Sequence, residues 1–317
     1  MRTSLHNVFR VTAAAVLFGS LAGALRADIL YVSNFGGLNK IQKITSAGVA
    51  STFFATGSQN PLGLAFDSAG NLYAADNFGS TIQKFTPAGV RSVFADSTDG
   101  VSNPSGLAFD RQGNLYVRNA VNQTIVKINP AGAGSVFATG LVSTGLAFDT
   151  SGDLYAAHTS ANRIMEFGTS GGTGSIFVAN SGLSGPNGLA FDRAGNLFVA
   201  NYSNNTIEMF TPGGVGSLFA DASDGLSQPR GLAFDSAGDL YVANEHSNRI
   251  LKFTPDGVGS VFADPSDGLN EPEFLAFTTD DGVPLLQPGG RMIPEPSSLA
   301  LLGLGLPALL ASRPRSK

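Results

Sequence analysis

The fold is decided by residues 231–253, GLAFDSAGDLYVANEHSNRILKF, because close copies of this stretch recur along the chain. The stretch contains three short segments rich in apolar residues, separated by a Ser-Ala-Gly turn and a polar loop. A fourth segment, GSVFA at 259–263, follows a Pro-Asp-Gly turn. Alternating apolar residues, with Gly and Asp at the turns, are typical of β-strands. We therefore predict that one unit holds four short strands.

The spacing of the copies suits one architecture. Four strands in about 43 residues is the size of a β-propeller blade. An open solenoid is the alternative, and its ends would carry polar caps. The string GLAFD begins at Gly63, Gly106, Gly145, Gly188 and Gly231, and a degraded sixth copy begins at Phe274.

The ends of the array favour a closed ring. The first unit lacks the GLAFD strand and opens with residues 28–34, whereas the last unit consists of the strand 274–278 alone. The two fragments add up to one blade, and pairing them removes the exposed strand edges of an open array. We predict an all-β fold, a six-bladed β-propeller of four-stranded blades over residues 28–281, closed by pairing of the C-terminal strand with the N-terminal blade.

Two sets of phenylalanines recur in register with the units. We predict that they fill the space between blades as core residues and do not form a cofactor site. The GLAFD strands supply Phe66, Phe109, Phe148, Phe191, Phe234 and Phe277. The final strands supply Phe54, Phe94, Phe137, Phe177, Phe219 and Phe262.

Composition excludes several classes of function. The 317 residues include no Cys, so a thiol enzyme is excluded, and a hydrophobic content of 43% is too high for a disordered chain. Residues 28–293 contain 13 Lys and Arg against 23 Asp and Glu. Nucleic acid is therefore not expected as a partner, because its affinity for proteins comes mainly from cationic contacts to phosphate.

The N-terminus is typical of a secretory signal peptide. Arg2 and Arg10 precede an apolar stretch at 11–25, and small-residue cleavage sites follow. We predict a signal peptide at 1–27 and export of the protein. A buried first helix is the alternative.

The C-terminus has three parts in a fixed order. Pro294, Glu295 and Pro296 are followed by an apolar run at 299–311 and a basic end. This tail, residues 294–317, resembles the PEP-CTERM sorting signal. The resemblance implies that the export machinery and an exosortase are partners, with transient inner-membrane association through residues 299–311. It also implies a location at the cell surface, outer envelope or extracellular exopolysaccharide matrix of a Gram-negative bacterium. Residues 282–293 are predicted to be a linker, with packing against the first blade as the alternative.

The repeat unit itself resembles the NHL-repeat family of β-propellers. Residues 231–253 show the Gly-hydrophobic-Ala-hydrophobic-Asp start, the Tyr-Val-Ala-Asn strand and the Asn-Arg-Ile strand of that family. The resemblance extends over residues 28 to about 281 and implies the propeller fold. That family includes sensors, binding modules and enzymes, so the resemblance does not by itself specify the function.

Binding is predicted at one face of the ring. If each GLAFD strand and its hairpin partner are antiparallel, the residue before each Gly and the residue that ends the next strand share a face, which also carries the longest loops. Both positions vary between units, although drift at a solvated channel mouth is the alternative. The residues before Gly are Leu62, Ser105, Thr144, Asn187, Arg230 and Glu273. The strand ends are Asn34, Asp76, Asn119, His158, Asn201 and Asn244.

These observations favour a binding or scaffold module that acts through the loop face on a polysaccharide, peptide or small-molecule ligand, with no certain cofactor. The alternative is an enzyme. Pro186-Asn187-Gly188 resembles an element of six-bladed lactonases of the gluconolactonase and senescence-marker type. That resemblance implies Ca²⁺ or Mg²⁺ held by Asn187 and, by position, Glu273, and a metal-dependent lactone hydrolase. Ordinary turn chemistry also explains the motif.

Two further groups of residues are weaker candidates. His158 and His246 are the histidines of the propeller region, and a histidine pair serves the similar seven-bladed lyases of the streptogramin type; solvated loop histidines are the alternative. Asp pairs such as Asp96 and Asp99 suit turn formation, with Ca²⁺ ligation as the alternative.

Overall fold

The computed structural model describes residues 27–37, 39–55, 60–280 and 282–285. Within these ranges, 24 strands form six four-stranded antiparallel sheets. Each sheet is one blade of a ring, so the prediction of a six-bladed all-β propeller is confirmed. No helix in the described ranges is long and apolar enough to cross a membrane. The predicted signal peptide, apart from Ala27, and the sorting tail lie outside the described residues.

Each blade runs from an innermost strand at the channel to an outermost strand at the rim. Blade 1 contains β1 (Asp28–Asn34), β2 (Lys40–Thr45) and β3 (Ala50–Ala55). Blade 2 contains β4 (Pro61–Phe66), β5 (Leu72–Asp76), β6 (Thr81–Phe85) and β7 (Arg91–Ala95). Blade 3 contains β8 (Pro104–Phe109), β9 (Leu115–Asn119), β10 (Thr124–Ile128) and β11 (Gly134–Thr139).

The second half of the chain repeats this order. Blade 4 contains β12 (Ser143–Phe148), β13 (Leu154–His158), β14 (Arg163–Phe167) and β15 (Ser175–Ala179). Blade 5 contains β16 (Pro186–Phe191), β17 (Leu197–Asn201), β18 (Thr206–Phe210) and β19 (Gly216–Ala220). Blade 6 contains β20 (Pro229–Phe234), β21 (Leu240–Asn244), β22 (Arg249–Phe253) and β23 (Gly259–Ala263), and β24 (Pro272–Thr279) follows. Single-turn 3₁₀ helices cover Ser97–Asp99, Thr159–Ala161, Ala222–Asp224 and Pro265–Asp267.

Strand β24 closes the ring as predicted. It pairs antiparallel with β1, with Leu30 opposite Phe277, and so becomes the innermost strand of blade 1. The chain then turns back on itself: Pro284 bridges Thr278, and the Leu285 N–H donates to the Phe277 carbonyl at 2.9 Å. Leu285 packs against the apolar cluster between blades 1 and 6, so residues 282–285 lie on the propeller.

Aromatic side chains form the core between blades. In blade 2, the Tyr73 ring lies 4.9 Å from Phe94 of the same blade and 4.9 Å from Phe109 of blade 3, edge to face in both cases. Each such pair contributes about 0.5–1.5 kcal/mol beyond its buried area. The same trio recurs at all six interfaces, with the second-strand residues Tyr31, Tyr73, Tyr116, Tyr155, Phe198 and Tyr241 at its centre.

Blade 1 carries two adjacent phenylalanines at this interface, the predicted Phe54 and also Phe53. Phe53, and not Phe54, contacts Tyr31 in blade 1, at 5.2 Å between ring centroids. The register between β2 and β3 shifts at a bulge, because Ile41 is opposite Phe54 and Gln42 is opposite Thr52. Phe53 is therefore the bulged residue that contacts Tyr31, while Phe54 packs on Phe85 of blade 2, so both rings lie between the blades and the prediction for Phe54 is confirmed.

Candidate functional site

The two predicted candidate positions do lie at the same end of the blades. Register places Pro104 opposite Asn119 and Pro229 opposite Asn244, and the other blades follow the same pairing. The residue after each of these opening positions lines the channel entrance. We call the resulting set the mouth ring: Leu62, Ser105, Thr144, Asn187, Arg230 and Glu273. The second set is the strand-end ring: Asn34, Asp76, Asn119, His158, Asn201 and Asn244.

Neighbouring blades touch at the mouth ring through their backbones. A Cβ atom placed on Gly188 would overlap the carbonyl oxygen of Arg230 on the next blade, and one on Gly231 would overlap that of Glu273. Gly63, Gly106 and Gly145 make the equivalent approach. Glycine is therefore required here by the closeness of the strands. The consequence is that mouth-ring residues of adjacent blades are direct neighbours around the channel.

Asparagines of the strand-end ring anchor the loops. Asn119 is fully buried; its Oδ1 accepts from the Ser102 N–H at 2.8 Å, and its Nδ2 donates to the Gly100 carbonyl and to Thr124 Oγ1. Asn201 and Asn244 repeat this arrangement in blades 5 and 6. Asn34 accepts from the Asn270 N–H at 2.9 Å in blade 1. These side chains hold the loop face in shape.

Asp76 and His158 are the two members of the strand-end ring that are not asparagine. Asp76 accepts from the Gly79 N–H at 2.9 Å and so orders its own loop. His158 is buried, and its Nδ1 has no hydrogen-bond partner among the described residues. Burial and the nearby Arg163 hold the pKa of His158 below its usual value. His246 lies two blades away on the loop of blade 6, and the structure shows no side-chain contact between the two histidines.

A charged cluster occupies the mouth where blades 5, 6 and 1 meet. Arg230 Nε donates to Glu245 Oε2 at 2.5 Å, and its Nη1 lies 3.3 Å from Glu273 Oε2. The guanidinium also lies 4.7 Å from the centre of the Tyr202 ring, a cation–π distance. Burial disfavours the charged guanidinium, but Glu273 and Glu245 outweigh it and hold the pKa of Arg230 above its usual value. We call Tyr202, Arg230, Glu245 and Glu273 the arginine cluster.

Glu273 is the most perturbed acid of the mouth. Only 3% of the residue is exposed. Burial, with help from the neighbouring Glu245 and Glu271, raises the pKa of Glu273 to about 8 in spite of Arg230. A carboxyl group that is protonated near neutral pH can donate a hydrogen bond as well as accept one. The site therefore offers both donors and acceptors to a polar ligand.

The remaining polar residues complete the mouth. Asn187 is 4% exposed, and its Oδ1 has no hydrogen-bond partner in the described part of the chain. Thr144 Oγ1 lies 3.4 Å from Thr159 Oγ1, which donates to the Pro186 carbonyl at 2.8 Å. On blade 3, which lies opposite blade 6 in the ring, Ser105 Oγ accepts from Arg118 Nη1 at 3.2 Å.

Sequence reasoning missed three of these residues. Tyr202 and Glu245 each follow a strand-end residue directly, and Arg118 precedes one. The signal was available, because Arg118 interrupts a strand motif that reads Tyr-Ala-Ala, Tyr-Val-Ala or Phe-Val-Ala in four units.

These residues alone do not form a cation site. No group of three or more His, Asp or Glu side chains within the described ranges is placed to hold a metal ion. Arg230 lies between Asn187 and Glu273 in the mouth ring, so a divalent cation there would compete with a guanidinium already paired with Glu273. The Ca²⁺ or Mg²⁺ site remains a prediction. In the loop, Asp96 and Asp99 form a capping box around the 3₁₀ turn, as the turn interpretation predicts.

The far end of the channel is apolar. A cavity of about 80 Å³ lies between the Leu-Ala-Phe segments of the innermost strands, with Leu285 on its wall. Small-molecule sites usually enclose about 300 Å³ or more and include placed polar groups. The loop-face mouth is therefore the better candidate site.

One unit of this propeller matches a known protein family. Residues 226–253 match the family model of the NHL repeat. The predicted NHL resemblance is thereby confirmed for this unit, and the described part of the chain is a six-bladed β-propeller. The comparison with curated protein sequences gave no match.

Solved structures with a similar fold are distant in sequence. A chain in the crystal structure of a nidogen/laminin complex is 19% identical, with 79% of this chain and 98% of that chain covered and a TM-score of 0.68. Virginiamycin B lyase from Staphylococcus aureus is 18% identical over 76% of this chain and 85% of its own, with a TM-score of 0.60. A streptogramin B lyase is 15% identical over 81% and 96%, with a TM-score of 0.62. Similarity at this level establishes the fold alone.

Proposed function

We propose that the protein is an exported binding module of the cell surface or exopolysaccharide matrix, and that its ligand site is the loop-face mouth. The observation that carries this proposal is the arginine cluster. Its four side chains come from three adjacent blades and are not repeated elsewhere in a framework that otherwise repeats closely. The loops do not need it, because the strand-end asparagines already hold them.

The chemistry of the mouth suits a saccharide. Hydroxyl-rich ligands need donors and acceptors side by side, which Arg230, Glu245 and Glu273 supply. Sugar rings also pack on exposed aromatic faces. Phe78, on the loop between β5 and β6, is 68% exposed on the same face of the ring. Export and a matrix location rest on the two terminal segments, which resemble a signal peptide and a sorting signal.

The test is binding of the purified protein to neutral and acidic oligosaccharides by titration calorimetry. Arg230→Ala should weaken binding by about tenfold or more, because hydrogen bonds to a charged group are lost. Phe78→Ala removes an exposed ring without a folding cost and should also weaken binding. Arg193→Ala is the matched control, because Arg193 is an exposed arginine of the opposite face. Equal binding by all three variants, or no saccharide binding by the unchanged protein, would refute the proposal.

A hydrolase or lyase at the same mouth is the second candidate function. The raised pKa of the buried Glu273 favours it, since a general acid or base works best with a pKa near the working pH. Lyases also occur among the proteins of similar fold. Turnover of a lactone or of virginiamycin B that is lost in Glu273→Gln, with the fold retained, would establish it. Absence of turnover with either substrate would leave the binding function.

A further inference from the structure

Arg118 stands at a framework position where other blades have small residues. It is the penultimate residue of β9 and lies opposite Ile125 of β10. The same register position, always opposite an isoleucine, holds Ser33, Ala75, Ala157, Ala200 and Ala243 in the other blades. The propeller therefore does not need an arginine there, and blade 3 alone among the described blades carries this charge.

The guanidinium of Arg118 is buried without a counterion. The residue is only 6% exposed, and in the described part of the chain no carboxylate lies within ion-pair distance of it. Its Nη1 donates to Ser105 Oγ, while its Nε has no partner among the described residues. Burial lowers the pKa of Arg118 to about 10, and the side chain stays charged at neutral pH. Buried charges in proteins are normally paired, because an unpaired charge is costly to bury.

The contact with Ser105 shows which part of the mouth this charge reaches. Ser105 belongs to the mouth ring, so the guanidinium extends from β9 to the loop-face end of the innermost strand of blade 3. Blade 3 and blade 6 are opposite one another in a six-membered ring. Arg118 therefore lies across the ring from the blade that carries Arg230 and Glu245.

We propose that Arg118 and Ser105 form a carboxylate-binding subsite of the mouth that takes the acidic group of a uronic-acid sugar. This inference rests on the proposed function and adds the substrate class to it. A guanidinium edge and a carboxylate match in bidentate geometry. One arginine balances the single negative charge of a carboxylate, whereas a phosphate dianion would leave one negative charge unbalanced. An acidic sugar with its carboxylate on Arg118 can extend its hydroxyls toward the arginine cluster.

The experiment compares a short oligoglucuronate with an oligoglucose of the same length, using the purified protein at low salt. Arg118→Ala is the main variant, and it is expected to fold because alanine occupies this position in four other blades. Arg118→Lys keeps the charge and removes the bidentate edge. Arg111→Ala is the matched control, because it removes the same charge from the same blade at an exposed turn of the opposite face.

We expect the unchanged protein to bind oligoglucuronate about tenfold or more tightly than oligoglucose. Arg118→Ala should abolish this preference, Arg118→Lys should reduce it, and Arg111→Ala should keep it. The melting temperature of Arg118→Ala without ligand should equal or exceed that of the unchanged protein. Equal binding of the two sugars, or equal losses in Arg118→Ala and Arg111→Ala, would overturn the subsite and leave the saccharide-binding mouth in place.

Two small anions separate this inference from the proposed function. If neither sugar binds but acetate raises the melting temperature in an Arg118-dependent way, the carboxylate subsite stands and the saccharide function falls. A larger Arg118-dependent increase with inorganic phosphate than with acetate would overturn the assignment of a carboxylate.

Discussion

Replacing Glu273 with glutamine keeps the shape of the side chain and removes its proton equilibrium. The amide oxygen can still accept from Arg230 Nη1, which lies 3.3 Å from the carboxylate in the unchanged protein. Because Glu273 is buried beside Glu245 and Glu271, its ionised form is disfavoured in the folded state. We therefore expect Glu273→Gln to make the stability of the propeller less sensitive to alkaline pH.

The size of the effect follows from the raised pKa, which moves from an ordinary 4.5 to about 8. Between these values the unfolded chain ionises Glu273 and the folded chain does not. The stabilisation is thus fully present below about pH 4.5 and is lost as the pH rises through about 8, at about 1.4 kcal/mol per pH unit. From pH 5 to pH 8 the loss is on the order of 4 kcal/mol.

The assay is urea unfolding of both proteins at several pH values between 5 and 9, followed by circular dichroism. The difference in unfolding free energy should grow with pH in favour of Glu273→Gln and level off above about pH 8. Asp256→Asn is the control, since Asp256 is an exposed carboxylate in a turn of the opposite face. Parallel pH profiles for the unchanged protein and Glu273→Gln would refute the assignment of Glu273 as a buried, protonated acid.

Three other predictions address the framework and the tail. Asn119→Ala should lower the free energy of unfolding in urea by about 1–3 kcal/mol, because it leaves the Ser102 N–H and the Gly100 carbonyl unpaired. Asn187→Ala should lower it by less than about 1 kcal/mol, because Asn187 Oδ1 has no hydrogen-bond partner among the described residues. Gly188→Ala should lower the free energy of unfolding by about 1–3 kcal/mol or more, measured against Gly213→Ala, where the added methyl group would make only an ordinary 3.9 Å contact with Thr211; equal stabilities would contradict the close backbone approach. Glu295→Ala should leave an unprocessed precursor in the membrane fraction of the native host, and normal release would refute the sorting signal.

The period of the repeat made the fold predictable. Alternating apolar residues, tight turns and two complementary fragments at the ends left a closed ring as the simplest arrangement, and β24 closes it. In blade 1 the sequence prediction included Phe54 but not Phe53. Two adjacent phenylalanines are equivalent in sequence, and only the bulge between β2 and β3 determines that Phe53 contacts Tyr31 while Phe54 packs on Phe85.

The sequence predicted which residues lie at the candidate site, but it did not predict which of them contact one another. The repeat placed Arg230 and Glu273 in the mouth, but their pairing depends on the backbone approach between adjacent innermost strands. The strand-end asparagines could not be told from binding residues in the sequence. Their hydrogen bonds join loops that are 17 to 19 residues earlier in the chain.

The buried polar side chains of the mouth have two different roles. Asn119 and its equivalents repeat around the ring and have their polar atoms satisfied by loop backbone, so they are explained by the fold. Arg118 breaks a repeated position, is buried, and lacks a counterion among the described residues. A repeat framework supplies an internal comparison for each position, with the other blades as controls. The other five blades fold without a charge at this position. The charge of Arg118 is therefore better explained by a ligand that binds the propeller than by a requirement of the fold.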